Sequence, residues 1–427
     1  MAEAAQGLIV TAPSSAPAAR GYHLLLLTLA AAAATYARTA IGPLQESMRA
    51  ALSLSDNQMA LLQGLALALP MLIVAVPLGL LIDRRSRVRL LFVFAVLNAA
   101  GSALTAIAST FSLLFLARCL VGLTATAITT AAFSLLADLY APAQRGRASM
   151  VVVVGQYGGM SGAFALGGAL LAVAGSSSEN WRWAVLWLTV PLVLVMFAML
   201  AMREPPRTGL AIENPTTRQS FIELWCYRAV ILPLLAGLII VEIGIGAVLI
   251  WAAPSFSRGF ALAPDRIGAI MGIALMVSGL LGPIVGGMLA DQCQRNGGPR
   301  RTMLVLSGLS LLCVPAALFP VMPGVTSASV LLATFITVIS AIVVMSTTLF
   351  TVVIPNELRG LCIAVAAAAC TVFGIGLAPV AVSLISGALG GPSMIGKALA
   401  VVCVLAAGVS VGIFAFGSRH FPRTAVQ

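Results

Sequence analysis

The sequence predicts an all-α integral membrane protein. Hydrophobic residues make up 60% of the 427 positions and charged residues only 9%. A soluble domain carries roughly a quarter charged residues, so this chain has too few charges to cover a surface that faces water. The apolar residues also run in stretches of about 20, which is the length that crosses a hydrocarbon core. Because backbone groups need partners inside lipid, we expect each stretch to be a helix.

Twelve such stretches divide the chain into two groups of six. They lie at about 24–43, 57–81, 88–109, 111–137, 148–174, 182–202, 229–253, 266–290, 302–321, 327–354, 360–388 and 396–417. The polar segment 203–228 is expected to be a cytoplasmic linker between an N-terminal six-helix bundle (22–202) and a C-terminal one (229–418). Residues 1–21 are expected to be a disordered tail without the charged start of a cleaved signal, and 419–427 a cytoplasmic tail.

The basic residues predict the orientation of the chain. With both termini in the cytoplasm, 17 of the 24 basic residues fall in inside segments and 5 in outside segments. Positive residues collect on the cytoplasmic side of membrane proteins, so we place both termini there. The net charge of +11 is then a consequence of topology, and no nucleic-acid partner is expected.

Several classes of chemistry are excluded by what the sequence lacks. The seven cysteines form no CxxC pair, and only two histidines are present, which leaves too little for a zinc site or a Ser-His-Asp hydrolase. No GxxxxGK[ST] nucleotide loop occurs, and Lys397 is the single lysine. We therefore expect neither an enzyme nor an ATP-driven pump, and we expect no cofactor and no metal.

An internal repeat links the two groups of helices. The pattern G-x-L-x-D follows span 2 at 79–83 and span 8 at 287–291, an offset of 208 positions. Each aspartate follows a glycine that permits close packing. A second echo pairs Arg145-Gly146, after span 4, with Arg359-Gly360, after span 10. Two matched pairs indicate duplication into parallel halves, an architecture known in transporters.

These motifs resemble those of the major facilitator superfamily. Residues 79–87 match its signature loop between helices 2 and 3, and Arg118 with Gly122 resembles its helix-4 motif. The resemblance implies two pseudo-symmetric six-helix bundles that move a small molecule by alternating access. It also implies that Asp83 joins the two halves through helix 11, whereas a solvated loop carboxylate is the alternative.

Two further stretches are similar to the bacterial Spinster-like branch of that superfamily. They are 52–64, LSLSDNQMALLQG, and 132–148, which contains AFSLLADL. That branch carries an Asp-Arg pair in helix 1 and a glutamate in helix 4 that are tied to proton coupling. Here those places hold Ala37-Arg38 and Ala125. Proton coupling would therefore need another carboxylate.

Three charged residues lie well inside the predicted spans, away from the span ends. Glu242 is the one carboxylate well inside a span, and we interpret it as a proton or cation carrier, with a hydrogen-bonded neutral acid as the alternative. Arg38 is interpreted as an anchor for an anionic group, with snorkelling to the interface as the alternative. Arg118 is either a coupling residue or a structural arginine that binds backbone carbonyls.

The remaining candidate residues fall into two sets. Polar side chains that could line a cavity are Tyr36, Gln156 and Tyr157. Residues predicted to form the gating motifs at the cytoplasmic ends are Gly79, Asp83, Arg84, Arg87, Asp138, Arg145, Gly287, Asp291 and Arg359. Of these, Asp138 and Arg145 are expected to belong to one network with Asp83.

The leading hypothesis is a secondary active transporter that moves a small organic solute, anionic or amphipathic, with proton coupling through Glu242. A passive facilitator or a multidrug or metabolite effluxer of the same fold is the alternative, and a non-transporting sensor is a remote one. The expected partners are the solute, the lipid bilayer and protons, and the chain is expected to be a monomer. A bacterial inner membrane is the expected location.

Overall fold

The computed structural model describes residues 17–140, 142–175, 180–202, 204 and 217–421. All regular secondary structure within these ranges is helical. The twelve long helices are numbered α1 to α12 in the order of the predicted spans. Their bounds are α1 Pro17–Thr39, α2 56–84, α3 Arg87–Ile107, α4 Phe111–Leu139, α5 Pro142–Ala174, α6 Asn180–Met199, α7 Arg228–Phe260, α8 264–296, α9 299–316, α10 Val325–Val353, α11 356–388 and α12 Ile395–Gly417.

The count of twelve combines three observations on the described residues. Ten helical segments are long and apolar enough to cross a membrane. One of them, Pro264–Val321, contains α8 and α9, which separate at the non-helical backbone of Gly297 and Gly298. The helix α1 adds the twelfth, although it is not among the ten.

The first loop differs from the predicted boundaries. The helix α1 starts at Pro17, inside the predicted tail, and ends at Thr39, ahead of the predicted residue 43. A tight turn with a hydrogen bond from the Gly42 N–H to the Thr39 carbonyl ends it just before Pro43, whose ring cannot continue a helix. A short helix, Gln45–Ala51, then leads into α2. The predicted linker contains a helix as well, Thr217–Cys226.

Two helices contain a π-helical turn at the place where the halves of the chain meet. In α2 the turn is Leu61–Leu65, and in α11 it is Thr371–Leu377. The backbones approach so closely that a Cβ on Gly64 would lie 2.8 Å from the Gly376 carbonyl oxygen. Such turns are rare and occur frequently at functional sites. The halves also meet where α5 packs against α8.

Each end of the helix bundle carries an arginine that contacts carboxylates. Asp56 begins α2, and Arg87 follows its far end, so these residues lie at opposite ends of a helix of 29 positions. We call the end with Glu46, Asp56 and Arg258 the Arg258 face, and the end with Arg87, Asp138 and Glu204 the Arg87 face.

Candidate functional site

A cavity of about 540 Å³ lies between the two halves of the chain. Its polar lining comes from α1, α2 and α5 of the first half and from α7 of the second. The lining residues are Thr35, Arg38, Thr39, Gln63, Leu67, Gln156, Tyr157, Met160, Glu242, Gly246, Leu249, Ile250, Ala367 and Ile375. An apolar cavity with a few convergent polar groups is the usual form of a small-molecule site.

Arg38 and Glu242 bring opposite charges to this cavity from opposite halves. Arg38 comes from the last turn of α1 and Glu242 from the middle of α7. Both side chains are half-buried, and they form no ion pair with each other. Among the described residues, Glu242 makes no hydrogen bond or ion pair at all. The cavity therefore offers an unpaired carboxylate and a guanidinium to a solute.

Arg118 lies behind the cavity wall. Its side chain is buried and donates from Nη1 to the Ala37 carbonyl at 3.3 Å and from Nη2 to the Arg38 carbonyl at 2.5 Å. The last carbonyls of a helix have no partner within it, and they carry the negative end of the helix dipole. The guanidinium of α4 thus caps the carboxyl end of α1. This geometry favours the structural alternative for Arg118 and holds the backbone of Arg38 in place.

The three predicted polar residues are placed differently. Gln156 and Tyr157 line the cavity from α5, and the Tyr157 hydroxyl donates to Ser340 Oγ of α10 at 3.2 Å, across the two halves. Tyr36 is buried in a hydrophobic core to which both halves of the chain contribute, and it is not part of the cavity lining. Its hydroxyl has no hydrogen-bond partner among the described residues.

At the Arg258 face, one arginine joins the halves of the chain. Arg258, near the end of α7, binds Glu46 through Nε at 3.1 Å and Nη2 at 2.7 Å. It also binds Asp56 through Nη1 at 2.7 Å and Nη2 at 2.8 Å. Arg49 lies 3.4 Å from Glu46 and 3.8 Å from Asp56. We call these four residues the Arg258 network.

A pair of buried amides lies between the cavity and the Arg258 network. Gln63, in the π-helical turn of α2, lines the cavity and donates from Nε2 to Gln45 Oε1 at 2.6 Å. Gln45 is fully buried, and its own Nε2 has no partner in the described structure. Gln45 precedes Glu46 in the short helix after α1.

At the Arg87 face, a second network remains within the first half of the chain. Arg87 is buried and lies 2.5 Å from Asp138 of α4. Glu204, just after α6, accepts from the Arg87 N–H at 2.9 Å and from the Ser86 hydroxyl. Burial acts to raise the pKa of Glu204, but the hydrogen bonds from Ser86 and Arg87 outweigh it and leave the pKa below its usual range.

The repeated Arg-Gly motif, at 145–146 and 359–360, makes the same contact in both halves of the chain. Arg145 donates to the carbonyl of Tyr140, which ends α4, at 3.0 Å. Arg359 lies in the same relation to the carbonyl of Ile354, which ends α10, at 3.5 Å. Each arginine reaches back five positions. The duplicated motif is therefore used for the same purpose in both halves, to satisfy a carbonyl at a helix end.

The structure describes only part of the repeated G-x-L-x-D pattern at 79–83 and 287–291. The side chains of Asp83 and Arg84, and the surroundings of Gly79, lie outside the described residues, so the contact of Asp83 with helix 11 stays a prediction. Asp291 is exposed. The predicted close packing at Gly287 is wrong, because a Cβ there would meet nothing within 4 Å.

The close packing of α8 occurs one position earlier than the sequence predicts. A Cβ on Gly286 would lie 2.7 Å from the Ala341 carbonyl oxygen of α10. The helix rotates by about 100° per residue, so one step moves a residue to a different face.

Neither the Arg258 network nor the amide pair is predictable from a local sequence pattern. Arg258 is 212 positions from Glu46 and 202 from Asp56, so no local pattern connects them. A usable signal for Gln63 was present, since it is a polar residue inside an apolar stretch. Gln45 gave no such signal, because it follows Pro43 in a segment with the composition of a loop.

Comparison with known proteins agrees with this fold. Residues 27–379 match the family model of the Major Facilitator Superfamily. Human spinster homolog 3 is 30% identical over 177 residues, which cover 40% of this chain and 33% of that protein. The quinolone resistance protein NorB of Staphylococcus aureus is 29% identical over 133 residues, 31% of this chain and 27% of that protein. These alignments thus span about a third or less of the relatives' length.

Solved structures match over nearly the whole chain. A bacterial homologue of the human lysosomal transporter Spinster, in an inward-facing conformation, has a TM-score of 0.81 at 21% identity and covers 97% of this chain and 100% of its own. The D-xylose-proton symporter has a TM-score of 0.70 at 18% identity and covers 91% and 97%. At these identities the likeness shows the fold. With the family match over most of its length, the chain belongs to the Major Facilitator Superfamily.

Proposed function

We propose that the protein is a secondary active transporter of a small organic solute that carries an anionic group. The observation that carries the proposal is the cavity between the halves, with Arg38 on one wall and Glu242 on the other. A guanidinium offers a planar fork of donors that suits carboxylate or phosphate groups. The apolar remainder of the lining, including Met160, Leu249 and Ile250, suits the body of an amphipathic molecule.

Proton coupling through Glu242 is part of the proposal. A carboxylate without a cationic partner in the described structure can exchange a proton with the cavity, and it can do so once in each transport cycle. The likeness in fold to the D-xylose-proton symporter, a protein that moves its solute together with a proton, supports this interpretation. A passive facilitator is the second candidate, favoured by Ala37 and Ala125 at positions where the Spinster-like branch has carboxylates.

The described contacts support an alternating-access cycle captured with one face closed. The halves meet through the Arg258 network and through the π-helical turns near Gly64 and Gly376, all toward the Arg258 face. In the orientation predicted from the basic residues, that face is the outer side and both termini are cytoplasmic. The proposed state is therefore closed to the outside, in a monomer in a bacterial inner membrane.

The experiment first finds a ligand and then measures flux. Purified protein is screened by thermal shift against organic acids, lysolipids and amphipathic drugs, since a molecule that binds the folded state raises its stability. The protein is then reconstituted into proteoliposomes, and uptake of each hit from the outside solution is measured with and without a pH gradient. Uptake that saturates and that follows the pH gradient supports the proposal. Saturable uptake that ignores the gradient favours the passive facilitator, and the absence of any carrier-mediated flux contradicts both.

A further inference from the structure

Gln45 occupies a position that nothing in the transport proposal uses. It is fully buried, yet its side chain makes only one hydrogen bond among the described residues, from Gln63 Nε2 at 2.6 Å. A buried amide nitrogen without a protein partner costs free energy, so the two amides by themselves do not form a complete hydrogen-bond network.

Two contiguous contacts connect the amide pair to both functional regions. Gln63 lines the cavity, and Gln45 binds it. The next residue in the short helix is Glu46, which binds Arg258 of the opposite half at 2.7 Å. The path from the cavity to the Arg258 network thus consists of one amide hydrogen bond, one peptide unit and one ion pair. Neighbouring residues of a single helical turn cannot move independently, because the helix is rigid.

We infer that Gln45 is a positioning residue that couples the cavity to the Arg258 network. It holds Gln63 at the cavity wall, and it holds the short helix so that Glu46 meets Arg258. A solute that draws the Gln63 amide away from Gln45 leaves a buried amide with no partner in the closed state. Opening the Arg258 face admits water to that amide and relieves the cost. Occupancy of the cavity then favours opening, which deepens the proposed transport cycle and rests on it.

The test needs no solute. Spin labels are placed on cysteines at Ser109 and Thr326, two exposed positions at the Arg258 face, one in each half, in a background without the native cysteines. Their distance distribution gives the ratio of open to closed molecules. In an Arg258→Gln variant the Arg258 network is broken, so this variant gives the distance between the two labels in the open state. Gln63→Leu is then expected to raise the ratio about tenfold, the effect of leaving one buried amide unsatisfied.

Two matched variants separate coupling from a general loss of packing. Gln156→Leu also removes a cavity amide, but that side chain has no described hydrogen bond to the Arg258 network, so the distances are expected to stay as in the wild type. The double variant Gln45→Leu with Gln63→Leu removes both amides, so no buried amide is left without its partner. The ratio of open to closed molecules is then expected to return most of the way to the wild-type value. If Gln63→Leu does not fold, Gln63→Asn, too short by one methylene to reach Gln45, takes its place.

The inference is overturned if the Gln63 variant keeps the wild-type distances, or if the Gln156 variant shifts them as far. Neither result depends on transport, since the labels report the closure itself. A protein that moved no solute in proteoliposomes would still show the Gln63 effect. Failure of the transport proposal is therefore distinguishable from failure of this one.

Discussion

Arg258 of α7 and Asp56 of α2, which are 202 positions apart, are joined by two hydrogen bonds of 2.7 and 2.8 Å. With Glu46, the arginine spans two carboxylates of the opposite half of the chain and is largely buried between them. Charge-assisted pairs of this bidentate kind are among the stronger polar contacts in proteins. They therefore hold the two halves of the chain together at this face.

Replacing Arg258 is expected to open this face. Arg258→Gln leaves two carboxylates close together without their main partner, although Arg49 still neutralises part of the charge. We expect the closed state to lose about 1–2 kcal/mol, a factor of 5–30 in population. A cysteine at Thr39, on the cavity wall, should then react faster with a membrane-impermeant thiol reagent added on the Arg258 side.

The matched control for this prediction is Arg266→Gln. Arg266 is exposed at the same end of the molecule and forms no described ion pair, so the Thr39 cysteine should react as it does in the unaltered background. Equal reaction rates of the Thr39 cysteine in the two variants would show that the Arg258 network does not close this face.

Replacing Arg118 is expected to cost stability. Arg118→Leu removes two charge-assisted hydrogen bonds and leaves the Ala37 and Arg38 carbonyls without a partner in the core. We expect the free energy of unfolding to fall by about 3 kcal/mol. Denaturant unfolding in one detergent measures it, with Arg89→Gln, an exposed arginine, as the control. Arg118→Lys should recover part, since one ammonium reaches one carbonyl. Wild-type stability with an altered pH dependence of transport would instead support coupling.

Replacing Glu242 separates binding from coupling. Glu242→Gln cannot gain or lose a proton, so we expect pH-driven uptake to disappear while binding and solute exchange persist. Proteoliposomes with and without a pH gradient provide the measurement. The control is Glu223→Gln, an exposed carboxylate in the helix before α7. Transport by the Glu242 variant with unchanged pH dependence would remove the coupling role and favour the passive facilitator.

Replacing Arg38 should act on binding itself. Arg38→Ala removes the cation from the cavity, and we expect affinity for an anionic solute to fall at least tenfold, the effect of about 1.4 kcal/mol. Affinity for an uncharged analogue should change far less. Equal losses for both ligands would indicate that Arg38 shapes the cavity rather than recognising charge.

The sidedness predicted from the arginines can be checked directly. In a cysteine-free background, single cysteines at Ser109 and Thr326 should react only with reagent on the outside of intact cells. Cysteines at the exposed positions Arg89 and Asn296 should react only after the membrane is opened. The reverse pattern would invert the predicted orientation and make the Arg258 face cytoplasmic. Labelling of all four cysteines from one side would contradict the twelve-helix topology.

The sequence by itself determined the class, the fold and the charged members of the cavity. Apolar length and low charge dictate membrane helices because lipid tolerates no unpaired backbone. A lone Glu242 or Arg38 inside such a helix is conspicuous, since a charge there is costly without a cavity or partner. The equivalent positions of Arg145 and Arg359 indicated duplication, because a repeated motif is visible within a single sequence.

Only the tertiary structure decided which distant groups meet. The contact of Arg258 with Glu46 and Asp56 depends on how the two halves pack, and residues 200 positions apart leave no local trace of it. The role of Arg118 as a cap on α1 was left open for the same reason, since a buried guanidinium suits a carbonyl and a carboxylate equally well. Which of these it meets depends on the crossing of α4 and α1, a property of packing rather than of either helix.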